Sequence, residues 1–208
     1  MAIEAESAAE LVRQLRARGI RDEKVLGVVE RTPRGMFVGE EEADAAFLDI
    51  ALPIGCGQTI SQPYVVAYMT EQLQIEPTHD VLEIGTGSGY QAAILAPLCR
   101  HVYTIERHPE LLEAAQARFD KLGLTNITAI AADGTKGWPE DRTFDRIMVT
   151  AAATELPRAL IGQLAEGGRM ILPVTGLLLG QKLVLVEKTK QGVKRRNLLP
   201  VRFVPLVS

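Results

Sequence analysis

Apolar positions in residues 4–18 recur at helical spacing, at Ala8, Leu11, Val12 and Leu15, with charges between them. Gly19 follows, where a C′ glycine would end a helix. A second helix is predicted over 23–31. Asp22 can cap it, Val25, Leu26, Val28 and Val29 turn inward, and Thr32-Pro33 stops it. Residues 39–44 form a short acidic patch that reads as solvated surface. The pattern then breaks. Residues 46–66 hold apolar Leu52, Ile54 and Ile60, but Pro53, Gly55 and Gly57 argue against regular structure. Pro63 opens the next helix, whose body is 64–73. From residue 81, short apolar runs alternate with helical stretches. Strands are predicted over 81–84, 101–105, 126–132, 144–150 and 169–173. Helices are predicted over 90–98, 109–122 and 155–164, with stops at Gly123 and Gly167-Gly168. From 181 the chain reads as β, with runs on either side of a turn at Gln191-Gly192.

Such alternation predicts an α/β fold. The expectation is a Rossmann-like, doubly wound, mostly parallel sheet with helices on both faces. An N-terminal helical elaboration and a C-terminal β hairpin complete it. The 208 residues suit a single domain over 1–208, and a hydrophobic content of 47% suffices for a sizeable core. Within it, 1–75 supplies helices and a substrate loop, 76–175 a cofactor-binding core, and 176–208 the last strands. No internal repeat or low-complexity segment is visible.

Charge and composition narrow the function. A net charge of −3 and a pI near 5.7 leave no nucleic-acid footprint. The N-terminus is acidic and lacks an apolar h-region, so no signal peptide is expected. The longest apolar run, 177–186, is interrupted by Gly180, Gln181 and Lys182 and is too short to span a bilayer. A cytoplasmic, membrane-free monomer is the expectation. Cys56 and Cys99 read as buried or half-buried thiols of a reducing compartment. His79, His101 and His108 show no zinc spacing, so no metal is expected. Lys188, Lys190, Lys194, Arg195 and Arg196 make the C-terminal end basic and read as solvated edge charges protecting a hairpin.

The chemistry centres on V-L-E-I-G-T-G-S-G, residues 81–89. A strand runs into glycines at 85, 87 and 89 and then into a helix, the first unit of a Rossmann-like sheet. Glycine lets the backbone turn sharply and lets a ligand approach closely. A dinucleotide fingerprint would read G-x-G-x-x-G and aim a helix at a pyrophosphate. Here the spacing is G-x-G-x-G with Glu83 just before it. An anion there would repel a pyrophosphate and suit a cation, and S-adenosylmethionine carries a sulfonium, an ammonium and no phosphate. E-x-G-x-G-x-G thus resembles motif I of the class I methyltransferases. Glu106, 17 residues after Gly89 at a strand end, suits ribose hydroxyls; the plainer role is capping the helix at Pro109. Asp133, before Gly134 at the third strand's end, can accept from an adenine amino group.

The broken stretch before Pro63 supports two readings. Ser61 can serve as N-cap of the helix that follows. Alternatively Gln58, Thr59 and Ser61 line a binding loop, because a long Gly/Pro loop with few charges is more often functional than connecting. No G-x-S-x-G elbow surrounds Ser61, so it is not expected to be a covalent nucleophile.

Three segments together carry a family resemblance: A-L-P-I-G-x-G-Q-T-I-S-Q-P-Y (51–64), V-L-E-I-G-T-G-S-G-Y with D-G at 133, and R-F-V-P-L-V near the end. In this order they resemble the protein-L-isoaspartate O-methyltransferase family over nearly the whole chain. The resemblance implies methyl transfer from S-adenosyl-L-methionine, releasing S-adenosyl-L-homocysteine. The acceptors are the α-carboxylate of L-isoaspartyl residues and the side-chain carboxylate of D-aspartyl residues in damaged proteins. It implies Ser61 as the active-site serine, with Gln58, Thr59, Ile60 and Val204 at the substrate. It implies cofactor positions at Glu83, Gly85, Thr86, Gly87, Ser88, Gly89, Glu106, Arg107, Asp133, Gly134 and Thr150. The alternative is an S-adenosylmethionine-dependent enzyme acting on a small molecule. A DNA amino-methyltransferase would need an N/D-P-P-Y-type tetrapeptide where residues 150–154 read T-A-A-A-T.

Overall fold

The computed structural model describes residues 2–176 and 180–207, with side chains from residue 6 on. Of the apolar run at 177–186, residues 177–179 lie outside the described residues. Two helices open the chain, α1 (Ala2–Ala17) and α2 (Glu23–Arg31). Gly19 follows α1 at φ +101. Asp22 caps α2, its carboxylate accepting from Lys24 N and Val25 N. Residues 52–60, where regular structure was not expected, form an antiparallel hairpin of β1 (Leu52–Gly55) and β2 (Gln58–Ile60). The glycines that argued against a strand are what close it: Gly55, Cys56 and Gly57 form the tip, all at positive φ.

Helix α3 (Pro63–Leu73) leads into the main sheet. Its strands are β3 (Asp80–Ile84), β4 (His101–Glu106), β5 (Ile127–Ala131), β6 (Phe144–Val149), β7 (Leu164–Thr175), β8 (Gln181–Thr189) and β9 (Gly192–Val201). The spatial order is β5-β4-β3-β6-β7-β8-β9. The first five are parallel, and β8 and β9 add antiparallel. The order therefore reverses at β3, between β4 and β6, which is where an open α/β sheet binds its ligand.

Strict alternation divides the sheet's side chains between two faces. Val81, Val102, Met148, Ile171 and Leu185 pack under α3, α4 (Tyr90–Leu95) and α5 (Pro109–Lys121). Leu82, Ile84, Ile147, Val149 and Met170 face Trp138 and α6 (Arg158–Gln163). Helices α1 and α2 form a further cluster with Phe37, Leu52, Ile60 and Tyr90, which seats the β1–β2 hairpin against the core.

Two boundaries differ from the periodicity. Pro157 stands at the N-cap of α6, so the helix starts at Arg158 rather than 155. Strand β7 begins at Leu164, and the expected turn at Gly167-Gly168 is a bulge within it. Gly168 has no room for a side chain, because a Cβ would meet Asp145 O at 3.0 Å. Strand β9 is the exposed sheet edge, as its charges suggested. Lys188 is the exception to solvated charge: its Nζ donates to Ile161 O at 2.9 Å and Leu164 O at 2.6 Å, closing the end of α6.

Candidate active site

The glycine turn after β3 is the floor of the site. Gly85 has φ +95, and a Cβ there would lie 2.3 Å from Thr150 Oγ1. That hydroxyl lies 2.7 Å from Gly85 O and 2.9 Å from Ile84 O, so the end of β6 is tied to the turn. Gly89, at φ +89, lets α4 start against Phe119, whose ring a Cβ would meet at 2.7 Å. Gly134 packs on β3, where a Cβ would lie 2.5 Å from Ile84 Cγ2. At the end of β4, Glu106 is buried. Its Oε2 accepts from Gly87 N at 2.8 Å, and its Oε1 accepts from Arg107 N and His108 N. Glu106 does not cap α5, whose N-cap is His108 with no side-chain cap bond. Instead Glu106 caps its own turn, and it holds the glycine loop with acceptor capacity left on Oε2.

Two predicted carboxylates do not reach the cleft. Glu83 is fully buried on the α3/α4/α5 side of β3, beside Thr104 of β4, because alternation turns it away from the cleft. Its Oε2 accepts from Thr104 Oγ1, and its Oε1 has no partner. Burial pushes this carboxyl up to about 8, aided by nearby Glu106 and opposed by the Thr104 bond. At neutral pH it is a neutral acid and cannot supply the anion that the sequence suggested. Asp133 turns back on its own loop. Its Oδ1 accepts from Thr135 N and Thr135 Oγ1, bonds that hold its carboxyl below the usual range.

The opposite wall comes from the β1–β2 hairpin and the start of α3. Ser61 is not the N-cap of α3. That position is Gln62, which makes no side-chain cap bond. Asp49 serves α3 from a distance, its Oδ1 accepting from Tyr64 N at 2.7 Å. Ser61 Oγ makes no hydrogen bond among the described residues. Its carbonyl is held by Arg34, a residue without any sequence signal. Arg34 is fully buried; Nη1 donates to Ala46 O, and Nη2 donates to Ile50 O at 3.0 Å and Ser61 O at 3.1 Å. Burial pulls its guanidinium below its ordinary range, against the pull of Tyr90 and Asp49. One buried fork thus fixes both ends of the segment that carries the hairpin.

The C-terminal segment closes the cleft. Its sequence reads as a continuing strand. Instead β9 ends at Val201, and the chain folds over the end of β6. Ala152 N donates to Val204 O, and Leu206 N donates to Ala152 O, each at 2.8 Å. The Gln181 side chain grips Phe203 by both its N–H and its carbonyl. Phe203 N, Val204 O and Leu206 N are therefore bonded within the chain. Gln181 is a second residue that sequence reasoning missed, because its partner lies 22 positions away.

These elements line an open cleft whose space between atoms, with the part open to solvent counted, is about 930 Å³. Of the predicted residues, Gln58, Thr59, Ile60, Ser61 and Val204 line it, with Gly85, Thr86, Gly87, Ser88, Glu106, Arg107, Gly134 and Thr150. Glu83, Gly89 and Asp133 do not. Tyr90, not predicted as a site residue, also lines it, and its hydroxyl is buried without a partner.

Cys99 is buried, as expected, and burial pushes its thiol up to about 12. Cys56 is exposed instead, because it sits at the hairpin tip. Cys56 also has neighbours of metal-ligating type that its own stretch of sequence does not show. Donor atoms of Cys56, His108 and Glu110 lie within 4.8 Å of one another. No local spacing could reveal this, since the cysteine and the histidine are 52 residues apart.

Residues 6–208 match the family model described as protein-L-isoaspartate(D-aspartate) O-methyltransferase. A protein-L-isoaspartate O-methyltransferase of Parvibaculum lavamentivorans is 58% identical over 201 residues, which is 96% of this chain and 90% of the relative. One from Paramagnetospirillum magneticum is 54% identical, covering 95% of this chain and 93% of the relative. Among solved structures, a Plasmodium falciparum protein assigned as a protein-L-isoaspartate O-methyltransferase was crystallised with S-adenosyl-L-homocysteine. It superposes with a TM-score of 0.83 at 27% identity, covering 95% of this chain and 97% of the other.

Proposed function

This chain belongs to the protein-L-isoaspartate(D-aspartate) O-methyltransferase family, and from that membership we propose how its cleft carries out the reaction. The enzyme transfers a methyl group from S-adenosyl-L-methionine to isoaspartyl residues of damaged proteins. The cofactor, when bound, supplies a methyl group activated by a sulfonium.

The cleft fits that cofactor. Its floor is the glycine turn, tight enough that a Cβ on Gly85 would lie 2.3 Å from Thr150 Oγ1, and its lining carries a carboxylate, Glu106, beside Arg107. In our reading Gly85, Thr86, Gly87 and Ser88 pass under the cofactor, and the remaining acceptor site on Glu106 takes a ribose hydroxyl. Arg107, Gly134 and Thr150 complete that half. Glu83, Gly89 and Asp133 support it from outside the lining.

The acceptor carboxylate, with a reference pKa of about 3.5 to 4, is already ionised at neutral pH. No general base is required, consistent with a loop at 54–63 that contains no His, Asp, Glu or Lys. What the protein supplies is position and exclusion of water, which can lower a barrier by about 7–11 kcal/mol. Ser61 donates its uncommitted hydroxyl to the substrate carboxylate and aims it across the cleft, and Gln58, Thr59, Ile60 and Val204 hold the flanking peptide. The observation that carries this reading is that the 58–61 segment and the 85–88 turn line one and the same cleft.

We read the whole of 1–208 as one methyltransferase domain: 1–75 brings the substrate loop, 76–175 the cofactor core, and 176–208 the closing strands. We propose that it acts as a monomer in the cytoplasm, without nucleic acid. Among the described residues no helix is long and apolar enough to cross a membrane. The test is transfer of labelled methyl to an isoaspartyl peptide and to the same peptide carrying normal aspartate. Labelling of the first alone is expected; equal labelling of both would refute the specificity.

A further inference from the structure

Three ligating side chains meet at the edge of the cleft, with His108 among its lining residues. Cys56 projects from the β1–β2 tip, His108 stands at the N-cap of α5, and Glu110 lies in the first turn of α5. The thiol sulfur, an imidazole nitrogen and a carboxylate oxygen lie within 4.8 Å of one another. None of the three donors makes a hydrogen bond or ion pair among the described residues. The two segments are close in their own right: a Cβ on Gly55 would lie 4.0 Å from Leu111 Cδ2 of α5.

We propose that these residues form a zinc site that clamps the hairpin to α5. Mixed sulfur, nitrogen and oxygen donors suit a borderline cation such as Zn²⁺, whereas Mg²⁺ and Ca²⁺ call for oxygen alone. Three protein ligands leave the fourth tetrahedral position to water. The consequence follows from what each arm carries. The hairpin bears Gln58 and Thr59 on one wall of the cleft, and His108 directly follows Glu106 and Arg107 on the other. Joining Cys56 to His108 and Glu110 ties the two walls together, so zinc slows exchange of reactants and products. This regulatory half rests on the reading of the cleft as the methyl-transfer site; the binding half does not.

Two measurements separate them. Zinc binding is followed by competition with a chromogenic chelator, and Co²⁺ loading by its thiolate-to-metal charge-transfer absorbance. The wild type is expected to bind one Zn²⁺ per chain at micromolar concentration and to show the cobalt band. Cys56→Ser should lose the band and bind at least tenfold more weakly, Glu110→Gln should weaken binding, and Cys99→Ser should change neither. Stoichiometry well below one, or Cys56→Ser binding zinc like the wild type, overturns the site. Methyl transfer to isoaspartyl peptide is then measured with and without zinc. Wild-type turnover should fall several-fold, while Cys56→Ser keeps its basal rate and ignores the metal. Zinc bound at Cys56 with turnover unchanged overturns the clamp and leaves the site standing.

Discussion

Glu83 offers the sharpest test of the buried electrostatics. Replacing it by Gln removes one ionisable group at nearly constant volume from a site that is fully buried. The native carboxyl is pushed up to about 8 from an ordinary value of 4.5, chiefly by burial. Between those two values the folded chain keeps a proton that the unfolded chain releases. The folded state therefore binds more protons, and stability must fall as pH rises through that window. Each pKa unit corresponds to about 1.4 kcal/mol, so the whole window carries at most about 5 kcal/mol, and the step from pH 6 to pH 8, where the group is already half ionised at the upper end, about 2 kcal/mol. Glu83→Gln lacks this slope. Any constant cost of the amide, which has no partner for one of its two ends, shifts the variant equally at both pH values and cancels. Urea unfolding of both proteins at pH 6 and pH 8 measures the difference. The wild type should lose about 2 kcal/mol more than the variant over that interval. Parallel losses would refute the assignment of a protonated acid under the glycine turn.

Further outcomes follow from the same geometry. Ser61→Ala should keep the fold and the cofactor affinity but lose much of the turnover on isoaspartyl peptide; wild-type turnover would remove Ser61 from its aiming role. Arg34→Lys keeps a charge but cannot bridge the carbonyls of Ala46, Ile50 and Ser61. Each carbonyl left unpaired costs about 1–3 kcal/mol, so thermal unfolding should drop by several degrees and the peptide KM should rise. An unchanged melting temperature would contradict that. Gly85→Ala places a Cβ 2.3 Å from Thr150 Oγ1 at φ +95, so it should cost more than the roughly 1–3 kcal/mol of left-handed strain and abolish cofactor binding by calorimetry. Gly57→Ala is the control: at φ +67 with nothing within 4 Å, it should show the strain alone.

Much of the fold was legible because it is written in local pattern. Period-two and period-3.6 runs located β3, β4, β6, α2 and α5 to within a residue or two, and Asp22 capped α2 where its spacing said it would. The glycines at 85, 87 and 89 announced the turn after β3, and Gln58, Thr59 and Ser61, singled out by their setting, line the cleft beside it. These signals lie within a few neighbouring residues, so the chain order alone carries them. Direction and long-range partnership do not. Whether Glu83 faces the cleft or the core depends on the pleat of β3 against β4 and on the helices above it. That Asp49, not Ser61, holds the start of α3, and that Arg34 grips Ser61 across 27 positions, depends on how the N-terminal helices pack. Cys56 meets His108 only because a hairpin folds onto the next layer. A side chain's type is local information, but its partners are chosen by packing, and packing is a property of the whole chain at once.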